Sequence, residues 1–202
     1  MADKPFLSKV YDLKGDGVRD YYDKWAETYE DELTENAYAT PARCAAALAA
    51  TDLPKDTPIL DFACGTGLSG AALHAEGFTI IDGIDLSEAM LAKARAKKIY
   101  RNLTRASADA PPPVEPNAYR AITAIGAIGP GAAPAEVIAP LIQALPTGGY
   151  FVISLNDVAL DTPAFPAALD AQADSIEKVS EERGPHLPGI DVMSTVYVFR
   201  RT

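Results

Sequence analysis

Cysteine, histidine and positive charge are all scarce in this chain. The two cysteines, Cys44 and Cys64, are too few for a disulfide framework or a thiolate metal cluster. The two histidines, His74 and His186, lie far apart and do not suggest an imidazole metal site, so no metal is expected. Eighteen lysines and arginines stand against 28 acids, a formal net charge of -10. Without a basic surface to neutralise phosphates, nucleic acid is not expected as the main partner. The same charge opposes approach to an anionic membrane, although a local basic pocket stays open. No apolar run nears the roughly 18–20 residues of a membrane span, and the opening MADKPFLSKVYDLKGDG lacks a run of signal-peptide length. A cytoplasmic protein acting on a small molecule is the expectation. Nothing in the composition marks an oligomeric state.

What is present is ordinary for a folded globular chain: 202 residues, 48% hydrophobic and 23% charged. That length suits one domain, here read as a helical cap over 1–55 and an α/β core over 56–202. In the cap, Tyr22, Trp25, Tyr29 and Leu33 fall on one stripe at helical spacing. Pro41 suits the first turn of a further helix, Ala42–Ala50. From Pro58 the period changes. Ile59–Phe62, Thr79–Ile84, Leu103–Ala106, Ala121–Ile125 and Tyr150–Leu155 read as buried strands. Leu68–Ala75, Glu88–Lys97 and Ala135–Leu145 read as the helices between them. Such alternation predicts right-handed crossovers and a parallel sheet. Pro111–Pro116 reads as a stiff loop. Ser175–Arg183 and Met193–Arg200, around a Gly/Pro loop from Gly184 to Gly189, predict an antiparallel hairpin that completes a mixed sheet of about seven strands.

The most informative stretch is ILDFACGTGLSG, Ile59 to Gly70: a buried strand, a glycine turn and a helix. Gly65 and Gly67 let main chain approach a ligand closely, and the helix behind them presents free N–H groups. Gly65, Gly67 and Gly70 also satisfy the G-x-G-x-x-G pattern of nicotinamide-binding folds, with Asp85 suitably downstream, so an oxidoreductase is a rival reading. Asp61 argues against it: a carboxylate there suits a ligand amine better than a pyrophosphate. Asp85 is placed to accept hydrogen bonds from two ribose hydroxyls. Ser87 is a good N-cap, Glu88 adds charge to the first turn, and Met90 points back toward an adenine. Asp109, after the third strand, could take the adenine amino group while the Ala108 backbone meets the ring. Three acids after successive strands match S-adenosylmethionine part by part.

These residues resemble those of the class I S-adenosylmethionine-dependent methyltransferases. ILDFACGTG is similar to their first motif, GIDLSEAML to their second, and LPTGGYFVIS to the opening of their fifth strand. YYDKWAETYEDEL resembles the start of many small members, and the whole is similar to the methyltransferase-like proteins of the Williams–Beuren-region family. The resemblance, from about Tyr21 to the C-terminus, implies a Rossmann-like fold with S-adenosylmethionine as methyl donor and S-adenosylhomocysteine as product. It implies that Asp61, Ala63, Gly65, Thr66 and Gly67 of the first turn bind the cofactor. Asp85, Leu86, Met90, Ala108, Asp109, Ile125 and Gly126 join them from later strand ends, and Trp25 and Tyr29 from the cap. Two positions depart from the pattern. Ala63 replaces the usual first glycine, and Tyr119-Arg120 replaces a common aromatic–aspartate pair.

Plainer readings stand beside these. The glycines could serve only a tight turn, Asp85 only a helix start, and Asp109 only a solvated loop. The aromatic stripe could be either packing or lid. Cys64, with no base in view, reads as a packing residue, and His186 and Tyr197 read as surface or core. The run Glu177–Arg183 reads as a solvated strand face. The loop Gly126–Gly131 carries no acid, base, amide or hydroxyl, so no catalytic side chain is identified. The Asn-Pro-Pro-aromatic signature of amino-group methylation of DNA and protein is absent. The expectation is transfer to a small, partly apolar metabolite by orientation, in a pocket walled by the lid aromatics, Asn156 and Asp157. A cofactor-binding sensor or partner subunit without catalysis is the alternative from another class.

Overall fold

In the computed structural model, residues 9–10, 17–108 and 110–202 are described. Three helices come first: α1 (Gly17–Trp25), α2 (Tyr29–Glu35) and α3 (Thr40–Ala49). The core then alternates as β1 (Ile59–Phe62), α4 (Leu68–Ala75), β2 (Ile81–Asp85), α5 (Glu88–Lys97), β3 (Asn102–Arg105) and β4 (Ala121–Ala124). It continues with α6 (Ile138–Ala144, entered through a 3-10 turn at Ala135–Val137), β5 (Tyr150–Asn156), α7 (Asp157–Leu160), α8 (Ala164–Asp170), β6 (Ile176–Leu187) and β7 (Val192–Arg201).

The strands form one sheet in the order β3-β2-β1-β4-β5-β7-β6. The first five are parallel, and β7 pairs antiparallel with both β5 and β6. This is the expected mixed sheet with its terminal hairpin. β1 and β4 are buried throughout because helices cover both faces. On one side Leu60, Ile122, Phe151 and Ile153 pack with α6 and α8; on the other Ile59, Ile81 and Val152 pack with α3 and α4. The chain leaves β1 toward β2 on one flank and enters β4 on the other. The crevice between their carboxyl ends is therefore where an open α/β sheet takes a ligand.

Three details differ from the sequence expectation. The aromatic stripe does not lie on one helix: the chain breaks at 26–28, where the acids Glu30, Asp31 and Glu32 favour a fresh N-terminus at α2. β6 runs on through Gly184 and Pro185 to Leu187, and the reversal is made by Pro188–Ile190. An edge strand tolerates that proline because its missing N–H can face solvent, and the register shifts there. As expected, residues Glu177–Arg183 are exposed along their length, so charge covers the sheet's free edge. Finally, α7 and α8 were not expected, since short helices around Pro163 and Pro166 carry little periodic signal. Asn156 caps α7, its Oδ1 accepting from Ala159 N at 2.9 Å. Among the described residues no helix is long and apolar enough to cross a membrane.

Candidate functional site

The β1–α4 turn is built from left-handed residues: Ala63 (φ +51°), Gly65 (+55°) and Gly67 (+91°). Gly67 is the N-cap of α4 and makes no side-chain cap bond, so its value lies in reaching that backbone conformation. Ala63 bears the strain of an L-residue there, about 1–2 kcal/mol. Ala63→Gly is therefore expected to stabilise the fold by up to about 1 kcal/mol after the extra chain entropy of glycine is subtracted. Urea denaturation would show this as a raised midpoint at constant slope; a lowered midpoint would refute it.

Asp85 ties this turn to the next. Its Oδ2 accepts from Gly65 N and its Oδ1 from Ser87 N, both at 2.8 Å. Each oxygen keeps a further lone pair for a ligand in the crevice that Asp85 lines. Burial raises its carboxyl above the ordinary range, opposed by the backbone N–H groups of Ser87, Gly65 and Leu86. Ser87 caps α5, as expected, accepting from Met90 N at 3.1 Å. Its hydroxyl also donates to Asp23 Oδ1 at 2.5 Å, which pins α1 to the start of α5. Lys97 pairs with Glu30 at 2.6 Å and pins α2 to the other end. The helical cap is thus stapled across the mouth of a crevice of about 530 Å³, within the roughly 300–1,000 Å³ of small-molecule sites.

Comparison with known proteins assigns the family. Residues 59–149 match the family model described as a methyltransferase domain. Methyltransferase-like protein 27 from Homo sapiens is 30% identical over 167 residues, which span 81% of this chain and 67% of the relative. The chain belongs to the class I S-adenosylmethionine-dependent methyltransferases. Solved structures share the fold at low identity. A Thermotoga maritima protein described as an S-adenosylmethionine-dependent methyltransferase, possible histamine N-methyltransferase, superposes with a TM-score of 0.62 at 13% identity, covering 91% of this chain and 99% of that one. A Haloferax volcanii complex of the Trm112 methyltransferase activator with a putative methyltransferase gives 0.61 at 16% identity, covering 88% and 96%.

The cofactor of this methyltransferase is S-adenosylmethionine, and the rival nicotinamide reading falls with the family assignment. The crevice suits an adenosyl group. Gly65, without a Cβ, lies against it, Asp85 offers lone pairs at its rim, and Met90, 1% exposed, forms its floor. Of the residues expected to bind the cofactor, Tyr29, Ala63, Gly65, Thr66, Asp85, Leu86, Met90, Ala108, Ile125 and Gly126 all line this crevice. Asp109 lies outside the described residues.

Three expected residues do not line it. Trp25, 2% exposed, packs with Leu33 and Leu187, its ring edge-on to Tyr29 at 4.7 Å. The stripe has therefore divided: Tyr22 and Tyr29 face the crevice, while Trp25 fixes the cap and borders only a smaller chamber beside it. Gly67 sits behind, against the Tyr100 ring.

Asp61 is the third. It is wholly buried and does not line the crevice: Ser69 donates to Oδ2 at 2.5 Å, Tyr100 to Oδ2 at 2.7 Å and Thr123 to Oδ1 at 3.0 Å. Its carboxylate braces the turn from below through these three hydroxyls. Burial pushes its carboxyl up to about 6, against the pull of those three hydroxyls. Between about pH 4 and 6 the folded chain thus keeps a proton that the unfolded chain has released. The stability this contributes is complete below the unfolded pKa and gone above the folded one, a loss of the order of 2–3 kcal/mol at this site. A ¹³C titration of Asp61 should show its midpoint near 6, whereas a midpoint below 4 would mean the three donors outweigh burial.

Cys64 is buried, and desolvation, with Asp61 and Asp85 nearby, holds its thiol well above the ordinary range, which fits a packing role. Asp157 lines neither the crevice nor the smaller chamber beside it, and it pairs with Arg183 at 2.5 Å. Tyr197 stacks on Phe199, and Tyr119 donates to Asp82 at 2.9 Å instead of marking a site. Sequence reasoning missed Tyr38 and Asp23, and it undervalued His186, which with Asn156 lines a second chamber. Only the threading of β6 under the cap brings His186 there, and local pattern carries no sign of it.

Proposed function

We propose that this methyltransferase acts on a small, partly apolar metabolite, in the cytoplasm, through a single domain and without a nucleic acid or membrane partner. One observation carries the reading. Beyond Gly126 the crevice is walled by Ala127, Gly129–Pro134, Val137 and Phe165, with no acidic, basic or amide side chain among them. The bound cofactor supplies an electrophilic methyl on a sulfonium. The protein's own part is then to hold the acceptor atom in line behind that methyl while the stapled cap excludes water. Asp85 and the Gly65 turn fix the adenosyl end, and Tyr22 and Tyr29 close over it. Charge opposes nucleic acid, since the chain carries -10.

The same bland wall supports the second reading, a cofactor-binding sensor or partner subunit. Incubating the protein with S-adenosylmethionine carrying a deuterated methyl group and with extracts of small metabolites separates the two. Mass spectrometry should find the heavy methyl on a low-mass, partly apolar product. Tight cofactor binding with no labelled product in any extract would reject catalysis and favour the sensor.

A further inference from the structure

A chamber of about 60 Å³ adjoins the crevice and shares Tyr22, Tyr29, Tyr38 and Gly126 with it. Its other walls are mainly apolar, Trp25, Leu33, Ile128 and Leu187 among them, but Ser154, Asn156 and His186 set three polar side chains in that surface. His186 is 8% exposed, and its ring is held edge-to-face by Tyr38, with centroids 5.1 Å apart at 81°. Its carbonyl accepts from Ala39 N at 3.0 Å. Neither ring position nor rotamer is left to chance.

The hydrogen-bond chain behind the ring fixes which nitrogen bears the proton. Arg43 can only donate, and its Nη1 reaches Ser194 Oγ at 3.0 Å. Ser194 Oγ lies 3.1 Å from Thr40 Oγ1, which lies 2.8 Å from His186 Nδ1. With the guanidinium at one end, the arrangement that satisfies every member runs one way: Ser194 donates to Thr40, and Thr40 donates to Nδ1. Nδ1 is then an acceptor, and the neutral ring carries its hydrogen on Nε2. Burial, reinforced by Arg43, holds the pKa of the ring down at about 4, so it stays neutral at physiological pH. A ring in this state offers a donor and no base.

We propose that this chamber receives the polar head of the methyl acceptor, and that His186 offers it Nε2–H, selecting a neutral oxygen such as a ketone, ester or amide carbonyl. At Nε2 an ammonium head would meet a donor where it needs an acceptor. The chamber's Ser154 Oγ and Asn156 Oδ1 already accept from Gly126 N and Ala159 N, which leaves such a head mainly the aromatic ring faces. A carboxylate would find no lysine or arginine among the described residues lining the chamber. The link to methylation rests on the function proposed above; the tautomer and the head-group preference do not.

With two histidines in the chain and His74 exposed, long-range ¹H–¹⁵N spectra of ¹⁵N-histidine protein resolve the question directly. His186 should show one tautomer, protonated at Nε2. Thr40→Val should mix the tautomers, and Thr40→Ser should restore the single form. Three probes of similar size then read the head-group preference: the planar pair acetophenone and α-methylstyrene, and 1-phenylethylamine. Acetophenone should shift Nε2 saturably and lose about fivefold to tenfold in affinity in His186→Leu, the worth of a neutral hydrogen bond. α-Methylstyrene should be indifferent to that substitution, and 1-phenylethylamine should bind more weakly than either. A proton on Nδ1, the absence of any acetophenone shift, or preference for the amine would each overturn the inference. Calorimetry with S-adenosylhomocysteine on the same samples keeps the two failures apart, because absent cofactor binding defeats the methyl-transfer reading and leaves the tautomer result standing.

Discussion

Replacing Asp85 with alanine is expected to weaken S-adenosylhomocysteine binding by about 10- to 100-fold. Two losses combine. The ligand's hydroxyls lose an ionised acceptor, and hydrogen bonds to charged groups contribute about 1.5–3 kcal/mol. In addition, Gly65 N and Ser87 N lose the carboxylate that holds both turns in register. The second loss also reaches the unliganded fold, but these N–H groups face the crevice, where water can replace the carboxylate. We therefore expect less than about 1.5 kcal/mol of destabilisation and a variant that still folds. Asp85→Asn should fall between, since its amide keeps one acceptor and turns its NH₂ toward one of the two donors. The carboxyl is raised by burial, and its ionised form is the one that accepts two hydroxyls. Wild-type affinity should thus fall on acidification through that raised pKa, and the alanine variant should lack the dependence. Calorimetry from pH 5 to 8 reads both effects. An unchanged dissociation constant in a folded Asp85→Ala protein would remove Asp85 from the site.

How far the sequence foretold this arrangement depends on the range of each interaction. β1, β4 and β5 were legible because strands covered on both faces must be apolar, and the turn after β1 because left-handed backbone favours small residues. Asp85 was legible as a carboxylate at the carboxyl end of a strand in a known relation to that turn. Asp61 shows the limit. Its sequence position is equally suggestive, but whether it faces ligand or core depends on Tyr100, which is 39 residues away and fills the space behind the glycines. The cap shows the same limit. Tyr22, Trp25 and Tyr29 share a helical stripe in sequence, yet a break at 26–28 and the tip of the β6–β7 hairpin, Leu187 and Val192, decide which ring packs and which faces the crevice. His186 depends on both distant events at once, and no local pattern could have placed it.

Tyr100 also sets the second large expectation, that Gly70→Ala destabilises the protein by about 2–4 kcal/mol although alanine is the better helix former. Helix propensity alone would favour alanine by about 1 kcal/mol. A Cβ at Gly70, however, would lie 2.3 Å from Tyr100 Oη and 2.4 Å from Cζ. The ring has little room to retreat, for it also stands at contact distance from the positions a Cβ would take on Gly67 and Gly83. Accommodating the methyl must therefore pull Tyr100 off Asp61, adding overpacking of about 1–3 kcal/mol to the loss of a donor from a buried carboxylate, about 1.5–3 kcal/mol. Ser69→Ala removes a donor to the same carboxylate oxygen without adding volume, so it should cost no more than the hydrogen-bond part. Urea unfolding of the two variants beside wild type separates steric from polar loss. If Gly70→Ala matched wild type or exceeded it, Tyr100 would not be wedged under the turn, and the bracing of the cofactor loop from below by Asp61 would have to be abandoned.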